Sequence, residues 1–234
     1  MRLKCLFLLM IGLLSLKNIV VAQQAITNQN IFDTIPFIPE HGAERLARFA
    51  KEPVVTGKIM FLGNSITEGG NWKELFNDSG IINRGIGGDI TYGLLKRVDD
   101  VVIRKPSRLF ILIGINDIGK DIPEEIIVDN YQKLVGIILK KSPDTKIFIQ
   151  SILPLNNTVK GFPQHYNKAA HVLRANKLIR QMCVDMKLDF INLYPLFLDK
   201  QQKLNVAYTN DGLHLNADGY KLWAAYFKKK GYLK

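Results

Sequence analysis

The chain has 234 residues, enough for one ordinary α/β domain and too few for two comfortable ones. Hydrophobic residues make up 47% and charged residues 23%, a balance that supports a packed core and excludes a disordered chain. The formal charge is +11, yet the lysines are scattered, and the one clear run, Lys228-Lys229-Lys230, lies where a helix end favours cations.

The first segment has the pattern of an export signal. Arg2 and Lys4 form a basic start, Leu6 to Leu16 is almost wholly apolar, and Val20-Val21-Ala22 offers small residues before Gln23. The expectation is a signal peptide over 1–22, too short in its apolar part to span a bilayer comfortably, and a mature chain in the periplasm or outside the cell. Its removal takes Arg2, Lys4 and Lys17 and no acid, leaving +8; export also argues against a nucleic-acid partner. Cys5 leaves with it. Cys183 then stands alone among Leu178, Ile179, Met182 and Val184, which predicts a packing role and no internal disulfide.

Residues 23–57 read as an N-terminal arm, punctuated by Ile35-Pro36 and Ile38-Pro39, with a short helix over His41–Lys51 closed by Pro53. A regular alternation follows. Lys58–Leu62 is a buried strand, Trp72–Phe76 a short helix, Ile81–Asn83 a second strand and Tyr92–Ile103 a helix that stops before Pro106. Leu109–Ile113 is the strongest strand, and Pro123 opens a helix to Lys141 with Glu124 and Glu125 at its positive end. Lys146–Ile152 is a strand, Asn167–Lys187 a helix, Leu188–Leu193 a strand and Ala217–Lys230 a closing helix. Short apolar strands separated by helices imply one domain over 58–234: a five-stranded parallel sheet with helices on both faces, an α/β fold of three layers. Ligands in such a fold bind beyond the carboxyl ends of the strands.

Four polar clusters fall at those ends or just before the closing helix. They are Gly63-Asn64-Ser65-Ile66-Thr67, Asn83-Arg84-Gly85-Ile86-Gly87-Gly88-Asp89, Gly114-Ile115-Asn116-Asp117 and Asp211-Gly212-Leu213-His214. Acyl transfer needs a nucleophile, a base, a group to orient that base, and donors aimed at the oxyanion. Ser65, His214 and Asp211 fill the first three roles, and the Ser65 and Gly88 amides with the Asn116 side chain supply the donors. Each cluster alone has an ordinary reading, as a turn or half a metal site. The glycines fit neither the dinucleotide fingerprint nor a P-loop, and Thr67 stands where the α/β-hydrolase elbow has glycine.

Together the four blocks resemble the SGNH hydrolases, also called GDSL-type esterases and lipases, across the chain from about Lys58 to its end. The resemblance implies a flavodoxin-like fold and carries the family's named residues over as Ser65, Gly88, Asn116 and His214, with Asp211 as the orienting acid. No cofactor or metal is implied. Asn64 and Ile66 depart from the name-giving Gly-Asp-Ser-Leu, which bears on the subfamily and not on the chemistry. The tract from Asn83 to Asp89 is similar to the branch holding the platelet-activating-factor acetylhydrolase catalytic subunits and bacterial carbohydrate O-acetylesterases, sialate O-acetylesterases among them.

The expected function is therefore exported hydrolysis of acetyl esters, on sialic acid or plant glycans. Trp72, Phe162 and Tyr166 are candidates for a sugar-stacking surface against the simpler reading of packing, and His41, His165 and His171 read as surface or structural. Three other readings use the same residues. They are a lysophospholipase or thioesterase, a metal phosphoesterase built on Asp89, Asp117, Asp211 and His214, and a non-catalytic glycan-binding module.

Overall fold

The computed structural model describes residues 40–233; the expected signal segment 1–22 and the arm up to residue 39 lie outside the described residues. A first helix, α1 (Glu40–Lys51), precedes the sheet. The five strands are β1 (Ile59–Gly63), β2 (Ile82–Gly85), β3 (Arg108–Leu112), β4 (Lys146–Gln150) and β5 (Asp189–Ile191). All pair in parallel, in the order β2-β1-β3-β4-β5. The helices between them are α2 (Ser65–Glu68), α3 (Trp72–Phe76), α4 (Thr91–Lys96), α5 (Val98–Arg104), α6 (Ile115–Gly119), α7 (Glu124–Lys141) and α8 (Ala169–Asp185), with α9 (Ala217–Lys230) last.

Side chains alternate across a strand, so each strand here feeds two cores. Phe61, Phe110 and Phe148 stand in register on β1, β3 and β4, their rings stacked at 4.9 and 4.8 Å. Trp72 of α3 stacks on Phe61 at 4.2 Å, and Phe227 of α9 meets Phe110 at 5.1 Å, so this aromatic face is covered by the short α3 and by α9. Each such ring contributes about 1.5–3 kcal/mol by burial and each well-placed ring pair about 0.5–1.5 more. Met60, Leu62, Leu109, Ile111, Ile147 and Ile149 alternate with those rings and are buried too. In the remaining helices, α7 packs against α4, α5 and α8. Cys183 is buried in α8, its thiol pushed up to about 12 by burial and by Asp189, as a packing residue. Among the described residues no helix is long and apolar enough to cross a membrane.

Strand β5 spans Asp189–Ile191 where Leu188–Leu193 was expected, and three further expectations change. The helix expected over Tyr92–Ile103 is two helices, because Arg97 leaves helical geometry (φ −115°, ψ 15°). Its buried guanidinium turns to the strand ends, donating to the carbonyls of Arg84 (2.9 Å) and Gly63 (3.0 Å). Strand β2 runs to Gly85 rather than stopping at Asn83, since Gly85 pairs with Gly63. Strand β4 stops at Gln150 rather than Ile152, whose amide donates to the Asn176 side chain of α8 (2.8 Å) while its carbonyl accepts from it (2.9 Å).

Candidate active site

The register brings the first three clusters to one rim. Gly63 lies beside Gly85 on one flank and Leu112 on the other, so the chain leaves β1, β2 and β3 side by side. A Cβ on Gly63 would sit 2.1 Å from the Leu112 carbonyl oxygen, so only glycine allows this exit. Asn64 then caps α2, its Oδ1 accepting from the Ile66 amide at 3.0 Å, and Ser65 opens the helix half-buried. Asn64 thus performs the capping task that an aspartate would perform.

The Ser65 Oγ lies 2.9 Å from Nε2 of His214, and Nδ1 of that ring lies 2.8 Å from Oδ2 of Asp211. A carboxylate can only accept, so Nδ1 carries the proton and Nε2 is left as acceptor for the Ser65 hydroxyl. Asp211 is itself held, its Oδ1 accepting from the amides of Leu213 (2.9 Å) and His214 (2.8 Å). Burial pushes the Asp211 carboxyl up, but the hydrogen bonds from the His214 ring and these two amides outweigh it and hold the group below the usual aspartate value. Phe162 packs edge-on against the His214 ring at 4.9 Å.

Gly88 is exposed in the left-handed region (φ 76°), a conformation that glycine adopts freely. Neither its amide nor that of Ser65 has a hydrogen-bond partner among the described residues. Asn116 donates one Nδ2 proton to the Asp89 carbonyl (2.9 Å), which orients the amide and leaves its second N–H free. These three donors rest on a buried polar frame. Asp89 pairs with Arg97 at 2.9 Å, and Asp117 accepts from the amide (3.0 Å) and hydroxyl (2.5 Å) of Thr91. Burial pushes both carboxyls up to about 6, against the opposing pull of Arg97 on Asp89 and of Thr91 on Asp117. Both carboxylates are thereby committed to fastening the loops, and among the described residues they form no group with Asp211 and His214 that could hold a metal ion.

Four holding residues went unnoticed in the sequence. Asn83 donates to the carbonyls of Thr67, Glu68 and Gly70, each at 3.0 Å, clamping α2 to β2. Glu68 accepts from the Gly87 amide at 2.6 Å and meets His41 (2.8 Å) and Arg45 (3.2 Å) of α1. Asn156 donates to the Leu204 carbonyl (2.8 Å), and its amide donates to that of Gly212 (2.9 Å) inside the Asp211–His214 turn. Arg97 had a readable signal, a charge set among Leu94, Leu95, Val98 and Val101; the others had none, because their partners are groups distant in sequence, backbone carbonyls and amides and, for Glu68, the side chains of His41 and Arg45.

Of the stacking candidates, Trp72 is buried against Phe61 with its Nε1 donating to the Thr67 carbonyl (2.9 Å), so it is core and not a sugar platform. Phe162 does border the site, and the Tyr166 hydroxyl accepts from the Gly161 amide at 3.1 Å. His41 pairs with Glu68 and His171 with Glu124 (2.7 Å), while His165 is buried.

Residues 61–222 match the model of the GDSL-like lipase/acylhydrolase family. Platelet-activating factor acetylhydrolase IB subunit alpha1 of Bos taurus is 25% identical over 178 residues, 73% of this chain and 71% of that protein. A GDSL-like lipase of Bacteroides thetaiotaomicron superposes with a TM-score of 0.68 at 26% identity, covering 80% of this chain and 95% of that one. Axe2, an acetylxylan esterase of Geobacillus stearothermophilus, shares the fold with a TM-score of 0.58 at 19% identity, covering 76% of this chain and 97% of its own. With the match running from β1 into α9, the chain belongs to the GDSL-like lipase/acylhydrolase family and is a carboxylic ester hydrolase.

Proposed function

We propose that this chain is an exported esterase that removes acetyl groups from carbohydrate, using Ser65 as nucleophile, His214 as base and Asp211 as the group that orients it. The observation that carries the reading is the unbroken relay from the Ser65 hydroxyl through the His214 ring to Asp211. In the first half-reaction His214 takes the Ser65 proton as Oγ attacks the ester carbonyl, and the oxyanion is received by the Ser65 and Gly88 amides and the Asn116 side chain. Collapse expels the alcohol, which His214 protonates. Water then attacks the acyl-enzyme by the same route, releasing acetate and restoring Ser65.

Support for a short acyl group comes from the names of the relatives, an acetylhydrolase and an acetylxylan esterase, and from Phe162 standing close against the His214 ring. Support for export comes from the signal-like segment before Gln23. The decisive experiment is acetate release from acetylated sialic acid, xylan and pectin fragments by the wild type and by Ser65→Ala, beside labelling with a fluorophosphonate. Release and labelling are expected from the wild type and neither from Ser65→Ala; a Ser65→Ala protein that still labels has another nucleophile. In a series of p-nitrophenyl esters, acetate is expected to turn over fastest, and a rise with chain length would overturn the acetyl assignment.

A further inference from the structure

A concave feature lies beside the β2 edge of the sheet. It is a cavity of about 550 Å³ between α1 and β2, and none of Ser65, Gly88, Asn116, Asp211 or His214 lines it. Its walls carry Arg45, Arg48, Lys58, Lys73, Arg84 and Arg104 against only two carboxylates, Glu52 and Glu68. Both acids are already committed, Glu52 to Arg84 at 2.7 Å and Glu68 to Arg45 at 3.2 Å. Arg84 and Arg104 are both answered from behind by Asp100, at 2.7 and 2.9 Å. Arg48, Lys58 and Lys73 have no carboxylate partner among the described residues, and the buried Nε of Arg45 has no acceptor.

Within this wall Arg84 and Arg104 are fully bonded, Arg104 also to the carbonyls of Pro53, Phe49 and Glu52, so Arg45 is the cation that differs from the other buried ones. Arg97 sits in a closed set of bonds to Asp89 and two carbonyls. Here the guanidiniums of Arg45 and Arg84 both lie over the Phe49 ring, at 5.0 and 4.3 Å, so like charges are gathered on one apolar floor. A buried donor without an acceptor is costly, and a concave surface of one sign concentrates its field on the opening. An oxyanion in the cavity relieves both. The volume is that of a small-molecule site, larger than a bare ion needs, and the exposed Val55 offers apolar surface at its wall.

We infer that this cavity is an anion-binding site, separate from Ser65, that takes a carboxylate or phosphate group, either free or borne on a sugar. The inference stands whether or not Ser65 is the nucleophile. The test is titration calorimetry at low salt on the purified chain, using inorganic phosphate, glucose 6-phosphate, galacturonate and, as neutral control, glucose. Saturable binding of at least one anionic probe is expected, with none of glucose. A double charge reversal of exposed rim residues, Lys58→Glu with Lys73→Glu, should weaken it about tenfold or more, because charge-assisted hydrogen bonds are lost. Arg48→Glu serves as a second variant, and hydrolysis of p-nitrophenyl acetate verifies that each protein is folded. Ser65→Ala should bind as the wild type does. Tighter binding of the sugar-borne anions supports the site and identifies a sugar acid or sugar phosphate; equal binding of phosphate supports it and identifies a free ion. Binding of no anionic probe, equal binding of glucose, or unchanged affinity in both reversed variants overturns it.

Discussion

The two sides of the Ser65 site are built differently. Ser65, Gly88 and Asn116 leave the ends of β1, β2 and β3 and are fastened from beneath by buried side chains: Arg97 on Asp89, Thr91 on Asp117, Asn83 on α2. Asp211 and His214 come from a stretch without sheet pairing of its own, where short 3-10 turns (Tyr194–Phe197, Val206–Tyr208) and one isolated bridge, Leu198 to Leu204, precede α9. That stretch is held by hydrogen bonds of its backbone, such as the Asn156 amide on the Gly212 carbonyl and the Gly212 amide on the Thr209 hydroxyl at 2.9 Å, with no buried ion pair beneath it like that of Asp89 and Arg97 among the described residues. The difference matches what the proposed mechanism asks of each side. Donors that stabilise a developing charge work only if they need not reorganise, whereas the base needs one correct ring orientation, which Asp211 supplies locally.

The largest expected effect falls on the fastened side. Arg97→Leu leaves Asp89 buried without its cation and strips two carbonyls of a donor, so stability should drop by about 3–5 kcal/mol in urea unfolding. A drop below about 1 kcal/mol, the scale of an ordinary surface substitution, would show that the frame does not depend on it. Next comes Asn116→Ala, which keeps the fold and removes one oxyanion donor. Its kcat on p-nitrophenyl acetate should fall by ~10²–10³-fold, about 2.7–4 kcal/mol of barrier, with KM little changed. Near-normal turnover would take Asn116 out of the donor set.

The frame also predicts a direction with pH. Asp89 and Asp117, raised from 3.8 to about 6, bind their protons more tightly folded than unfolded. Each therefore lends stability that is complete below about pH 4 and is lost as the pH rises through about 6. Urea midpoints of the wild type should fall across that interval, by up to about 3 kcal/mol for each group. The slope should be shallower in Asp117→Asn, whatever its absolute stability. A wild-type midpoint that rises from pH 4 to 6 contradicts the reading of both carboxyls.

The same contrast explains what could be read in advance. The strands, their order of alternation with helices, and the clusters at their ends follow from apolar runs closed by Gly63 and Gly114, a signal local to each segment. Helix α9 was legible to the residue because apolar spacing, the Asn216 cap and Gly231 agree on its ends. The break at Arg97 was not, since Leu94, Leu95, Val98 and Val101 keep helical spacing through it and only the distant carbonyls of Gly63 and Arg84 make leaving the helix favourable. For Trp72 the sequence leaves platform and packing both open, because composition cannot tell a ring stacked on Phe61 from one facing solvent. Glu68 and Asn156 were silent because their partners, backbone groups and for Glu68 also the His41 and Arg45 side chains, lie 19 to 56 positions away.

The smallest expected effect probes the loop side. Gly212 sits between Asp211 and His214 with φ 79°, and a Cβ there would lie 2.2 Å from the Asn156 carbonyl oxygen. Gly212→Ala must therefore accept a left-handed alanine, costing about 1–2 kcal/mol, and must also push the turn away from Asn156. The push tilts the Asp211 carboxylate relative to the His214 ring, and misplacement on the scale of 1 Å lowers kcat by as much as ~10²-fold. Gly231→Ala separates the two causes. That glycine has nearly the same φ, 70°, but nothing within 4 Å of its would-be Cβ and no part in the turn. It should lose comparable stability and keep full turnover. If both variants lose activity in proportion to stability, then strain alone is responsible. The closures around Asn156 would then hold the chain together without aiming the base.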